Sequence, residues 1–277
     1  MITLSIVEAI ILGAVQGIAE FLPISSTAHI IIAQLLLGYS IPGLSFEIFL
    51  HLGSIIAVIL FFWRDITHIV SAFFRYLAKR EKEDRSEFYF GLYLIVATMI
   101  TGLLGVMLED VVGNALKTPI MIAIALALTG IFLIAIERFH QIGNKSESEM
   151  SWFDAIIIGF VQTLAVIPGI SRSGSTLIAG LYTGLNRDTA VRFSFLLSIP
   201  VILGSSVLAI TDISAGSFRT IGTGPLIAAF ITSFVTSLIG IIWLIDFLKK
   251  GRLIYFALYC FLLAAIVLAF LDEATVL

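Results

Sequence analysis

Charge is scarce in this chain: lysine, arginine, aspartate and glutamate make up 13% of its 277 residues, against 59% hydrophobic ones. With a mean hydropathy of +1.10, that shortage excludes a soluble globular domain and leaves a protein with several membrane spans. Cysteine is nearly absent. The one thiol, Cys260, lies in an apolar run, so no intramolecular disulfide framework is available and it reads as a small lipid- or helix-facing residue. The formal net charge is only −3 and the basic residues sit in loops, which argues against nucleic acid as a partner. The opening MITLSIVEAI has no basic stretch and holds Glu8 inside its apolar run, so a cleaved signal peptide is not expected and the first helix is retained.

What the chain has instead is apolar length. Helices of about 20 residues cross a hydrocarbon core of roughly 30 Å. Six stretches qualify with few charges: Phe46 to Trp63, Phe88 to Leu108, Pro119 to Ile136, Phe193 to Ile210, Pro225 to Leu248 and Leu253 to Leu271. Glu47 and His51 stand out in the first of these as ionisable members of an apolar helix, and they are supporting candidates for a site. The loop from Arg64 to Glu87 holds Arg64, Arg75, Lys79, Arg80, Lys82 and Arg85, and the positive-inside rule makes it cytoplasmic. Part of it, Arg64 to Arg80, reads equally as an interfacial helix or a solvated basic loop. Alternation then puts Arg138, Lys145, Arg187, Arg192, Lys249, Lys250 and Arg252 on the same side, with Lys117 and Arg219 outside beside Glu109, Asp110 and Asp212. Trp63, Trp152 and Trp243 fall near cytoplasmic helix ends, as an interfacial belt requires.

One stretch occurs twice. EAIILGAVQGIAEFLPISSTAH, from Glu8, and DAIIIGFVQTLAVIPGISRSGST, from Asp154, align Gly13 with Gly159, Gln16 with Gln162 and Ser25 with Ser171 at a constant offset of 146 residues. Each reads as a helix broken by a Pro/Ser/Gly cluster and followed by a shorter helix: Ile2 to Leu22 then Ser26 to Leu37, and Trp152 to Val166 then Ser171 to Leu185. Pro23 and Pro168 remove a donor and restrict the preceding residue, so both end helices. Broken backbone at membrane depth is tolerated only where protein buries it or it lines a polar cavity, so two re-entrant hairpins imply a site. The expected architecture is all-α and polytopic: one membrane domain over residues 1–277, about six transmembrane helices and two re-entrant hairpins. Its halves, approximately 1–140 and 150–277, each hold one hairpin and three spans, so the second is inverted relative to the first.

The tips carry the chemistry. Gln16 and Glu20 share one helix face, four residues apart. Ser25, Ser26, Thr27 and His29 follow the first proline; an N-cap accounts for one hydroxyl but not for three and a histidine. Ser26 and His29, three apart, are spaced to converge on one ligand as nucleophile and general acid/base. The second tip, PGISRSGST, supplies Gly169, Ser171, Arg172, Ser173 and Thr176 at a helix N-terminus, where unpaired N–H groups and a guanidinium suit an anion. An unpaired guanidinium at membrane depth costs several kcal/mol, so Arg172 needs an anionic partner, Glu20 or a phosphate.

QGIAEFLPISSTAH and PGISRSGST, with GLNRDTAVRFSFLLSIP after the second, resemble the two signature regions of the undecaprenyl-diphosphate phosphatase family of the bacitracin-resistance type, over essentially the whole chain. The resemblance implies hydrolysis of a C55 polyprenyl diphosphate to the monophosphate and inorganic phosphate, which recycles the lipid carrier for cell-envelope glycan assembly. It also implies a plasma-membrane location with N-terminus and site toward the outside, and a divalent cation, Mg2+ or Ca2+, for which Glu20 is a possible ligand. Position by position it assigns Ser26 as nucleophile, His29 as the motif histidine, Glu20 as the second acid of an E/QxxxE motif and Arg172 as the essential arginine. Gln16, Ser25, Thr27, Gly169, Ser171, Ser173 and Thr176 are then expected to bind substrate. In the expected mechanism Ser26 or an activated water attacks the terminal phosphorus while His29, helped by Glu20, manages the proton. Gln16 stands where many members have an acid, which weakens a two-carboxylate metal site, and Ala28 where glycine is common. Inverted repeats with broken helices also build transporters, so a carrier or scramblase of a polyprenyl phosphate or another anion is the rival reading.

Overall fold

A computed structural model describes residues 4–38, 45–112, 118–139, 143–210, 221–249 and 253–271. Among them the secondary structure is helical: α1 (Ile6–Ala19), α2 (Ser26–Leu36), α3 (Ser45–Phe61), α4 (Trp63–Lys79), α5 (Arg85–Val112), α6 (Pro119–Phe139), α7 (Trp152–Thr163), α8 (Arg172–Tyr182), α9 (Arg187–Ile210), α10 (Thr223–Lys249) and α11 (Ile254–Phe270). Lys117, Asp212, Arg219, Lys250 and Arg252, and the side chains of Glu109, Asp110 and Lys249, lie outside the described residues.

Both duplicated stretches open on the same local device. Ser5 accepts the Glu8 amide while Glu8 accepts the Ser5 amide, and Ser151 and Asp154 do the same at the start of α7. Such reciprocal caps satisfy two of the donors a helix start leaves unpaired. The aligned acids, Glu8 and Asp154, are therefore helix-starting residues. Asp154 is fully buried and is also bridged by Lys145 at 3.2 Å, which in turn donates to the Thr183 carbonyl and so ties α7 to the end of α8.

Among the described residues, four helices are long and apolar enough to cross a membrane, within Lys82–Leu108, Pro119–Phe139, Arg187–Val207 and Thr223–Leu248. A fifth span is possible through α3 and α4 together, which are bent by 71° where they meet. The sixth expected span, α11, is a helix of 17 residues, about 25 Å at 1.5 Å per residue. The expected run from Phe46 to Trp63 ends a little earlier, because α3 stops at Phe61 and the chain turns at Phe62. Arg64 to Arg80 forms a helix, with Ile69 and Ala72 buried and Arg80 ending it in left-handed backbone.

The packing crosses between halves. α1 lies along α10, α7 along α5, α6 along α11, and α3 against both α9 and α10. Glycines set the closest crossings: a Cβ at Gly13 would stand 2.4 Å from the Ala229 carbonyl oxygen, and one at Gly159, its duplicate, 2.8 Å from that of Ala97. Small residues let helix backbones approach where lipid offers no hydrophobic drive between helices. At one end of the bundle Arg192 is bridged to Asp65 and Glu87, at 2.7 Å and 3.3 Å, and to Glu147, joining α4, α5 and the turn before α7 to α9.

Candidate active site

The two tips meet. α1 ends at Glu20, and Pro23 prevents the helix from resuming, which leaves the Leu22 carbonyl free of a helical partner. Ser173 Oγ donates to that oxygen at 3.0 Å and Ser171 Oγ at 3.4 Å, so the second tip hangs on the backbone break of the first. A Cβ at Gly174 would lie 3.2 Å from Pro23. On its other side, Gly169 turns the chain at φ +99° against α6, where a Cβ would come within 2.7 Å of the Ile122 carbonyl oxygen. Only glycine supplies that conformation and that clearance together.

The α2 start is strained. Ser25 holds φ +67°, a left-handed conformation rare for a residue with a side chain, while its Oγ caps α2 by accepting the Ala28 amide at 3.4 Å. Strain of this kind costs of order 1–3 kcal/mol and persists where the surroundings over-determine it. Here the surroundings are His29, whose Nδ1–H donates to the Ser25 carbonyl at 2.7 Å, and the interlocked second tip.

Glu20 is the hub. Its Oε1 accepts from Arg172 Nη2 at 2.9 Å; its Oε2 accepts from Gln16 Nε2 at 2.6 Å and from Ser26 Oγ at 2.8 Å, with His51 Nδ1 at 3.2 Å. Both members of the ion pair are largely shielded, with Glu20 3% and Arg172 15% exposed. A buried arginine without its anion would cost several kcal/mol, so the pair is the contact that makes Arg172 tolerable here. Beside it lies a narrow cavity of about 10 Å³ bordered by Phe21, Arg172, Ser173, Ser194 and Phe195. That is room for about one water molecule. Arg172 gives one guanidinium nitrogen to Glu20, so a phosphate that reached it would displace or join the carboxylate.

Gln16, Glu20, Ser26 and Arg172 are thus brought together. His29 is not joined to Ser26 by any hydrogen bond among the described residues. A carbonyl cannot donate, so the Ser25 contact fixes the His29 proton on Nδ1, and Nε2 accepts from the Tyr259 hydroxyl at 2.7 Å, with the two rings stacked at 5.5 Å. Thr27 is half-buried in the first turn of α2. Ser171 caps α8 through the Gly174 amide, and Thr176 turns away from the tip, bonded to the Arg172 carbonyl and to Ser194 on α9. Two participants escaped the motif reading: the Tyr259 hydroxyl, and the Leu22 carbonyl that the proline exposes. His51 shows only as an ionisable group in an apolar helix.

As a site for a dication the tips are poorly supplied. Both Glu20 oxygens are engaged, a guanidinium stands against one of them, and the described residues contain no group of three histidine, cysteine or acidic side chains able to hold a metal. A protein-built cage of the kind Ca2+ takes does not fit this donor set.

Fold and site define an integral membrane protein with a buried, ion-paired centre where two broken helices interlock. A family model described as bacitracin resistance protein BacA matches residues 9–266. The chain is 58% identical over 98% of its length, and 98% of the relative's, to a protein of Halalkalibacterium halodurans named undecaprenyl-diphosphatase 2. It is 53% identical to undecaprenyl-diphosphatase 1 of Shouchella clausii, over 97% of this chain and 98% of that one. An undecaprenyl-diphosphatase of Oceanobacillus iheyensis is 42% identical, over 96% and 97%. The chain belongs to the BacA family.

Proposed function

We propose that this protein hydrolyses undecaprenyl diphosphate to the monophosphate and inorganic phosphate, returning the lipid carrier to cell-envelope glycan synthesis and thereby conferring resistance to bacitracin. The family membership and the names of the relatives support the reaction. The observation that carries the site is the hydrogen-bonded unit of Ser26, Glu20 and Arg172, assembled from tips that lie far apart in sequence.

The diphosphate takes the place of the Glu20 carboxylate on Arg172, whose fork and the N-terminal amides of α2 and α8 balance the phosphate charge. Ser26 Oγ attacks the terminal phosphorus in line with the bridging oxygen, and its proton passes to Glu20 Oε2, to which it is already bonded. The bond to the bridging oxygen breaks and undecaprenyl monophosphate leaves. Water then cleaves the phosphoserine and releases inorganic phosphate. Positioning and charge neutralisation supply most of the acceleration in phosphoryl transfer. His29, committed to Ser25 and Tyr259, acts apart from the attacking hydroxyl and holds the strained α2 start in place. A divalent cation would supply further neutralisation of the phosphate charge, and Glu20 is the carboxylate of the tips that would hold it.

The distribution of basic residues supports an N-terminus and a site turned to the outside of the plasma membrane. The crossed packing of α1 on α10 and α7 on α5 supports two inverted halves, each with a re-entrant hairpin.

The test is phosphate release from undecaprenyl diphosphate by detergent-purified protein, with Ser26→Ala and Arg172→Ala alongside, with and without chelator. Both variants are expected to lose at least about 10²-fold in turnover. Near-normal release by Ser26→Ala removes the serine nucleophile in favour of water. No release by folded wild type supplied with cation favours a carrier or scramblase.

A further inference from the structure

We infer that His51 is a positioning residue of the hydrolytic centre, fixing the orientation of the Gln16 amide so that Glu20 Oε2 faces Ser26. The inference rests on the hydrolytic reading above and deepens it. His51 comes to the site from α3, a largely apolar helix, and its Nδ1 lies 2.9 Å from Gln16 Nε2 and 3.2 Å from Glu20 Oε2. The charges around it are Glu20 at the end of α1, Glu47 one turn back on α3 and Arg172 on α8.

A side-chain amide can be turned either way. With its nitrogen toward Glu20 it donates to the carboxylate; with its oxygen there, two acceptors would stand 2.6 Å apart and the carboxylate would swing away from Ser26. Glu20 itself favours the nitrogen-inward state, and what the pair lacks is a contact from another element that holds the amide there. The imidazole supplies it when its proton is assigned to Nε2, because the Nδ1 lone pair, 2.9 Å from the same amide nitrogen, then accepts its second N–H. One ring nitrogen thus holds the amide, the amide holds Oε2, and Oε2 holds the serine hydroxyl. Gln16 and Glu20 share a helix, and a group from elsewhere is needed to lock their contact. α3 provides it.

The substitution that separates this role from packing is His51→Asn, because the Asn side-chain oxygen occupies nearly the place of Nδ1. His51→Leu fills the space without an acceptor, and His51→Gln carries its amide one bond too far. In detergent-purified full-length protein acting on undecaprenyl diphosphate, His51→Leu is expected to lower kcat by roughly 10- to 100-fold with KM within about twofold of wild type. His51→Asn should recover most of that loss and His51→Gln should not. If His51→Leu does not fold, the Asn and Gln variants decide on their own. An unchanged kcat in His51→Leu, an Asn variant no faster than Leu or Gln, or a loss confined to KM each overturns the role. Wild-type turnover in the same preparation keeps the two claims apart: without it the hydrolytic reading fails and this one with it, whereas turnover insensitive to His51 removes only this one.

Discussion

Arg172 and Glu20 show how much a single residue pair can be read from sequence. A guanidinium at membrane depth has to meet an anion, and Glu20, three residues before the proline break of the other tip, is the candidate; the structure sets them 2.9 Å apart. Lysine at position 172 would keep the charge but lose the planar fork that can address a carboxylate and then a phosphate. Arg172→Lys is therefore expected to recover no more than about tenfold of the loss seen in Arg172→Ala; turnover within threefold of wild type would show that charge alone suffices. What sequence spacing could not supply was the direction of His29. Ser26 and His29 are close along α2, yet the imidazole has two better partners, the Ser25 carbonyl and Tyr259, and the second lies 230 residues away. A tyrosine in an apolar helix looks like an interfacial aromatic, and nothing local distinguishes Tyr259 from Tyr255 on the same helix.

Among the elements, the hairpins were legible because their breaks are chemical. Pro23 and the Pro168-Gly169 pair cannot continue a helix, and the serines that follow cap the next one. The turn between α3 and α4 is marked by charge instead of a breaker: the apolar run ends at Trp63, before Arg64 and Asp65, and the two helices meet there at 71°. Gly169 is where an element depends on one residue. Gly169→Ala would adopt a positive φ at a cost of order 1–3 kcal/mol, besides pressing on α6, and because this turn aims Arg172 the variant should lose both thermal stability and turnover. An unfolding midpoint equal to wild type, measured in detergent, would mean the turn relaxes freely.

At the level of the whole molecule, composition and apolar run length sufficed for a helical membrane protein, while orientation depends on charges that lie mostly in connecting segments. Single cysteines placed in a Cys260→Ala background test it directly. The proposed topology makes a cysteine at Ser5 accessible to an impermeant thiol reagent added outside intact cells, and one at Lys82 inaccessible until the cells are opened. The reverse pattern would invert the molecule and put the serine tip on the cytoplasmic side.

Neither half keeps its own first helix. α1 lies on α10 and α7 on α5, so a chain cut between α6 and α7 would leave each fragment exposing the glycine-lined face that its counterpart covers. Covalent continuity is then dispensable while mutual occupancy is not. Residues 1–140 and 141–277 expressed as separate polypeptides should each be degraded or inactive alone and regain phosphate release when made together. During synthesis the same interlock sets an order of events: the tip bearing Ser26 enters the membrane long before the tip bearing Arg172 exists, and Glu20 waits without its cation until the second half has been inserted. The newly made amino-terminal half is thus the vulnerable species in the life of this protein, because its buried acid has no guanidinium to meet until Arg172 has been made.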